Sequence, residues 1–341
     1  MTTRLGIAAM CRNMNEYLDW VEVAEACGYD LAGYGDTQNL LPDPYVALTA
    51  MAMRTSRIKL CTTVSNPMTR HPSVAASGFA ALQELSNGRA IFGIGTGDSA
   101  LKNIGRRAAR RDELEAYCRA FKAMVRGEIG RYDEREMCLL WDVPGDNPVP
   151  VFLAAEGPKM MQLAGEIGDG VIFGNGISQE VVADNLRRVR EAAVAVDRDP
   201  DEVEPWFLTK VVLSDEPEPE LWHRLAWTLA ASANHAFKFS FDDKFVPEDL
   251  HEPMQRLMDE YRSNEHNQVN AGDHNASLVN DNGLTGFLGP RFLIAGNAQH
   301  VASRIRQLDE WGASNLIFTA MWGDPIDYTR RIAAEVMPLL T

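Results

Sequence analysis

Four short stretches hold the residues through which this chain could do chemistry. The first is Asp36, a candidate carboxylate with Gln38 and Asn39 beside it as amide donors; a turn or cap role competes for Asp36. The second is Ser65–Asn66–Pro67–Met68–Thr69–Arg70–His71–Pro72, where His71 could exchange protons near neutral pH or serve as a hydrogen-bonded helix-entry residue. The third is Gly93–Ile94–Gly95–Thr96–Gly97–Asp98–Ser99. Glycines let a backbone approach a flat or anionic ligand, and the free N–H groups of a following helix start can take an anion. Residues 98–111 hold Lys102, Arg106, Arg107, Arg110 and Arg111 against Asp98, a local charge of +4; the alternative is a solvated helix face. The fourth is Ala154–Ala155–Glu156–Gly157–Pro158–Lys159, whose small residues either leave room for a ring system or allow tight strand-to-helix packing.

The elements that must position these stretches read as alternating strand and helix. Eight apolar, β-rich runs are legible: Leu5–Met10, Leu31–Tyr34, Ile58–Val64, Ala90–Ile94, Val151–Ala154, Val171–Phe173, Trp206–Leu213 and Leu316–Thr319, most of them followed by helical spacing. Eight such units predict an α/β fold, a (β/α)8 TIM barrel, within a single domain over 1–341. Two stretches break the rhythm and read as insertions, about 128–149 and the larger 237–290 between the seventh and eighth strands. A doubly wound sheet would call for a glycine-rich turn after the first strand, and Cys11–Arg12–Asn13–Met14–Asn15 has no glycine. In a barrel, functional groups gather at the C-terminal ends of strands. All four stretches stand there.

Composition narrows the chemistry. The 341 residues carry 33 basic and 48 acidic side chains, a net charge of −15, which disfavours nucleic acid and anionic lipid as partners. Five cysteines without a C-x-x-C pair suit reduced thiols of a soluble cytoplasmic protein, and no apolar run approaches a membrane span. His251, His266, Asp273 and His274 show no ligand spacing, so no metal is expected. Nucleophile-elbow, P-loop and H-E-x-x-H motifs are missing from the sequence. Residues 215–290 hold 14 acidic and 5 basic side chains, so the −9 there and the +4 at 98–111 read as opposite faces of one site. Met254, Leu257, Met258 and Tyr261 have amphipathic helical spacing, suggesting a lid over the rim. Phe237, Phe239 and Phe241 either face the pocket or barrel or form one face of a short strand.

Four of these segments, in order, resemble the bacterial luciferase-like superfamily of flavin- or F420-dependent oxidoreductases: Thr55–Ser56–Arg57–Ile58–Lys59–Leu60, Asn66–Pro72, Leu85–Ser86–Asn87–Gly88–Arg89 leading to Gly93–Asp98, and Ala154–Lys159. The likeness is nearest the F420-dependent methylenetetrahydromethanopterin reductase branch, covers most of 1–200 and returns weakly near Gly296–Met321. The resemblance implies an enzyme that binds F420, or alternatively FMN, at the C-terminal rim. It also implies a non-proline cis peptide in the third strand, which falls between Thr63 and Val64. Carried over by position, Asp36, Thr63, Val64, Asn66, Gly95, Gly97, Asp98, Ala154, Ala155, Glu156, Gly157, Gly174 and Asn175 would line the cofactor. Many members have a His after the second-strand acid; here it is Thr37, which cannot serve as an acid near neutral pH. Gln38, His71, Asp98 or an insertion residue would then supply any proton. The implied reactions are hydride transfer between F420 and a small organic substrate, or FMN-dependent monooxygenation fed by a separate reductase. A non-catalytic flavin-binding protein is a third possibility, and a homodimer is implied by the likeness alone.

Overall fold

The protein is described by a computed structural model covering residues 3–262, 265, 273–320 and 323–340. His266 and Met321 lie outside the described residues. The strands are β1 (Arg4–Ala9), β2 (Leu31–Tyr34), β3 (Lys59–Thr62), β4 (Ala90–Ile94), β5 (Gly130–Tyr132), β6 (Arg135–Met137), β7 (Val151–Ala155), β8 (Gly170–Phe173), β9 (Glu204–Leu213), β10 (Leu293–Gly296) and β11 (Asn315–Ala320). Parallel pairing runs β1–β2–β3–β4–β7–β8–β9–β11 and returns from β11 to β1, which closes the expected (β/α)8 barrel. Each of the eight apolar runs became one of these strands.

Two elements lie outside that ring. The pair β5 and β6 is an antiparallel hairpin. The strand β10 pairs in parallel with the second half of β9, Leu293 opposite Lys210 through Gly296 opposite Leu213. β9 serves two partners because it is ten residues long: Phe207–Thr209 close the barrel against β11, and the remainder diverges to β10.

Helices follow most barrel strands: α1 (Met14–Ala26), α2 (Pro44–Arg54), α3 (Pro72–Leu85), α4 (Ser99–Lys102), α5 (Arg111–Val125), α6 (Pro158–Ile167) and α7 (Gln179–Val194). Then come α8 (Glu218–Arg224), α9 (Ala226–Phe237), α10 (His251–Glu260), α11 (His274–Asp281), α12 (Thr285–Phe292), α13 (Ala298–Glu310) and α14 (Pro325–Glu335). Proline opens α2, α3 and α6, where its missing N–H has no helical partner to lose.

Side-chain alternation sorts the strands into two layers. Leu31, Cys61, Ile91, Phe152, Ile172, Trp206 and Ile317 fill the barrel interior. The outward residues pack on the helices, where Phe92 lies 4.6 Å from the tilted ring of Phe79 and stacks on Phe121 at 4.3 Å between centroids. A separate apolar cluster, including Leu229, Phe237, Met254, Leu257, Val279, Leu288 and Phe292, holds α8 to α12 together against β10. The helical spacing at 253–261 is borne out by α10, with Met254 and Leu257 buried. The three alternating phenylalanines form no strand. Phe237 ends α9 and is buried, Phe239 is exposed in the turn that follows, and Phe241 packs edge-on to Phe237.

The buried Arg89 explains the Leu85–Arg89 motif as structural. Its guanidinium donates to the carbonyls of Ser86, Ile58, Ala52 and Thr55 and to the Thr55 hydroxyl, at 2.7–3.0 Å. These include end-of-helix carbonyls of α2 and α3 that have no partner within their helices.

Candidate functional site

The candidate site is built from the C-terminal ends of β2, β3, β4, β7, β8 and β9. After β3 the chain turns through a cis peptide between Thr63 and Val64, where the resemblance expects it. Ser65 then rejoins β4, its N–H donating to the Gly93 carbonyl at 2.8 Å and its carbonyl accepting from Gly95 at 3.0 Å. Its hydroxyl donates to Oδ2 of the buried Asp36 at 2.6 Å, and Arg70 donates to the same oxygen at 3.0 Å. Arg70 also pairs with Asp43 and lies over the Tyr45 ring. Asp36 is therefore a buried organiser of the β2 and β3 loops.

The β4 loop closes against this arrangement. A Cβ at Gly95 would stand 3.1 Å from Ala154 and 3.3 Å from Val64, so the glycine preserves a gap between β7 and the cis bond. Gly97 has φ +89°, and a Cβ there would meet Leu101 at 2.5 Å and Asn66 at 3.1 Å. The Asn66 carbonyl oxygen accepts from the Met68 and Thr69 N–H groups, leaving its buried amide nitrogen without an acceptor. Burying an amide donor in this way is costly unless something supplies the acceptor.

Charges gather on the β4, β7 and β9 side. Asp98 receives Lys238 at 2.9 Å and Lys102 at 3.0 Å on one oxygen, with His235 at 3.7 Å from the other. Burial opposes its ionisation, but His235, Lys238 and Lys102 outweigh that and hold the carboxyl well below the usual range. Glu156, just past β7, lies over Gly174: a Cβ on that glycine would be 2.8 Å from Oε1. Burial pushes the Glu156 carboxyl up, and Lys238, Lys244 and Lys210 pull against it. By strand alternation Lys210 of β9 enters the same mouth, and its ammonium is bonded to the Ser232 hydroxyl. Burial pushes Lys210 down to about 8, which Glu156 resists.

The other expected residues fall differently. Gln38 donates to the Ala100 carbonyl at 2.8 Å and Thr37 meets Ser99 at 3.3 Å, so this loop is tied to α4. His71 is the exposed N-cap of α3, bonded to Ser73, with its ring edge-on to Tyr132 of the hairpin. Ala155 is fully buried in the outer core rather than the mouth, because it alternates with Ala154. Gly157 caps α6. Asn175 exchanges two side-chain bonds with Asn185 at 2.8 and 2.9 Å, and its carbonyl accepts from the buried Arg291. No cluster of three or more metal-ligating side chains occurs among the described residues.

Lys210, His235, Lys238 and Lys244 escaped the sequence reading. Lys210 had one legible signal, a lysine inside an apolar strand. The others lie in a stretch judged by its net acidity, and none has a diagnostic spacing. The +4 run is largely neutralised: Lys102 pairs with Asp98, Arg107 with Glu113, Arg110 with Asp112 and Glu113, and Arg111 with Glu115 and Glu166. Arg106 donates to the Met68 carbonyl.

The chain is similar to known proteins over most of its length. The family model for luciferase-like monooxygenases matches residues 3–315. A 5,10-methylenetetrahydromethanopterin reductase of Methanolobus tindarius is 34% identical over 194 residues, which is 54% of this chain and 57% of that protein. An F420-dependent glucose-6-phosphate dehydrogenase of Mycobacterium avium is 27% identical over 350 residues, covering 95% of this chain and 94% of its own. Among solved structures, the coenzyme F420-dependent tetrahydromethanopterin reductase of Methanopyrus kandleri superposes over the whole of both chains with TM-score 0.76 at 21% identity. EDTA monooxygenase of Chelativorans superposes over 100% of this chain and 93% of its own, with TM-score 0.70 at 15% identity. No helix among the described residues is long and apolar enough to cross a membrane.

Proposed function

Since the chain belongs to the luciferase-like monooxygenase family and is an enzyme of that family, we propose that it is an oxidoreductase that binds F420 at the barrel mouth and passes hydride to or from a small organic substrate. The observation that carries this reading is the gap that Gly95 keeps between Val64 and Ala154, with the acceptorless Asn66 amide beside it. Relatives named as F420-dependent align over nearly the whole chain, which favours F420 over FMN.

The residues present fit a flat ring system. Val64, Ala154 and Gly95 would hold its faces, Asn66 would offer a hydrogen bond to a ring heteroatom, and Gly97 would keep the β4 loop clear of it. Asp36 would act indirectly, by fixing Ser65 and the β3 turn. Bound deazaflavin supplies hydride transfer, and the protein contributes binding, orientation and exclusion of water. Lys238 and Lys102, held by Asp98, tie the α9 exit to the β4 loop and so restrict the mouth. Thr37 is committed to Ser99 and has no acid–base capacity near neutral pH.

The test is direct titration of the purified protein with F420 and FMN, oxidised and reduced, by fluorescence quenching. Binding of F420 followed by its reduction with a panel of small alcohols, including 2-propanol, cyclohexanol and glucose 6-phosphate, supports the reading. Tight FMN binding without F420 binding replaces it with the monooxygenase alternative, and binding of neither removes both.

A further inference from the structure

Asp98 and Glu156 are the two carboxylates at the charged side of the mouth, and their surroundings differ. Asp98 is saturated by Lys238, Lys102 and His235, so it is held as an anion and has no proton to exchange. Glu156 has no hydrogen-bond or ion-pair partner among the described residues, although it stands at the inward-facing position after β7 and leans across Gly174 towards β9. Lys210 enters from β9 on the far side of that glycine, with Ser232 as its hydrogen-bond partner. The charged groups facing Glu156 are Lys210 of β9, Lys238 and Lys244 beyond α9, and Asp98 beyond β4. Desolvating a carboxyl that has no hydrogen-bond partner is costly, and the nearby lysines offset only part of that cost, a combination that marks functional groups.

We propose that Glu156 exchanges the proton of a carbinol substrate at the barrel mouth, with Lys210 facing it as counter-charge, an inference that rests on the hydride-transfer reading above. In the oxidative direction the carbinol C–H bond breaks and its hydride, with both electrons, goes to the deazaflavin. The O–H bond breaks and its proton goes to a Glu156 oxygen, while the C=O double bond forms. The alcohol is oxidised, the deazaflavin is reduced, and in reverse Glu156 returns the proton to the carbonyl oxygen. This supplies the acid–base group that Thr37 cannot. It also accounts for a carboxyl raised by burial standing across from Lys210, which burial lowers to about 8.

The experiment compares the wild type with Glu156→Gln, which keeps the shape, and Glu156→Asp, which keeps the acid. Three readouts are taken: F420 affinity by quenching, the carboxyl titration of protein labelled with carboxyl-13C glutamate, and the single-turnover rate with F420 and the best alcohol of the panel across about pH 5 to 9. The expected result is a glutamate signal that titrates above the ordinary range and vanishes in Glu156→Gln. That variant should keep its F420 affinity within about threefold, lose about 100-fold or more in rate and lose the acidic limb of the pH profile. Glu156→Asp should recover that limb in part. A Glu156→Gln rate within threefold of wild type with the same profile overturns the proposal, as does a Glu156 signal in the ordinary carboxylate range. Failure of the wild type to bind F420 overturns the hydride-transfer reading, and the proposal with it.

Discussion

Replacing Asp98 with Asn should loosen the charged side of the mouth and can be gauged from its partners. The carboxylate accepts from two ammonium groups through one oxygen, at 2.9 and 3.0 Å, and faces His235 with the other. Its side chain is 18% exposed and that of Lys238 is 20% exposed, so water replaces little of the lost attraction. Asn can still accept one bond at its carbonyl oxygen, but the cations lose their counter-charge. A hydrogen bond to a charged group contributes ~1.5–3 kcal/mol, and keeping one weaker acceptor leaves a loss of about 2 kcal/mol. At the lower end of the range for large domains, ~2 °C per kcal/mol, Tm should fall by roughly 4 °C.

The same variant carries a pH dependence of defined sign. The Asp98 carboxyl is depressed in the folded state, so its stabilisation is fully present above the ordinary carboxylate range. It is lost as pH falls through that range towards the lower folded value. The stability gap between wild type and Asp98→Asn should therefore narrow as pH falls below about pH 4. Urea unfolding at several pH values measures it. Hydrogen exchange across 235–245 should quicken in the variant, because Lys238 no longer pins the α9 exit. Equal stability at pH 7 with unchanged exchange would refute the assignment of Asp98 as the tie between α9 and the β4 loop.

Three other substitutions probe separate parts of the molecule. Gly97→Val forces a branched side chain into φ +89° and against Leu101, and should cost about 1–3 kcal/mol while weakening cofactor binding at least tenfold; wild-type affinity in the quenching titration would show that the β4 loop is remote from the ligand. Arg89→Met orphans five acceptors, four at the ends of α2 and α3 and the Ile58 carbonyl before β3, and should destabilise by about 3–5 kcal/mol with no effect on affinity in the folded fraction, read by denaturation and titration together. Lys210 is depressed to about 8 in the folded state, so the unfolded chain binds more protons from about pH 8 to 10, and stability should rise with pH across that window. Lys210→Met should remove that rise and add about 1–2 kcal/mol at pH 7; an unchanged slope would place the lysine in water.

How far the sequence carried depends on whether the signal was local. All eight barrel strands were legible because a buried parallel strand must be a short apolar run, whatever surrounds it. β10 was not, because four residues directly after a helix make no periodicity of their own. The loop residues at the rim were legible as a group, since a barrel presents strand C-termini on one side. Their individual roles were not. His71 reads equally well as an acid–base group or as a cap, and only its bond to Ser73 decides for the cap. Ala154 and Ala155 are identical in type, and one residue of alternation sends the first to the mouth and the second to the outer core.

Charge shows the division most clearly. The sequence by itself determined the barrel, its rim and the uneven distribution of charge, because burial patterns and segment sums are properties of neighbours along the chain. Segment sums predicted a basic face opposing an acidic one. In the folded protein the minority charges meet instead: Asp98, the one acid of the basic run, pairs with Lys238 from the acidic stretch, while Asp242 and Asp243 of that stretch are exposed. Which member of a charged segment turns inward is set by desolvation and by the partner waiting across the mouth, 140 residues away for Lys238 and Asp98. That pairing, the free carboxylate of Glu156 and the depressed Lys210 exist only once β4, β7, β9 and α9 are brought together, so they were decided by the tertiary structure alone.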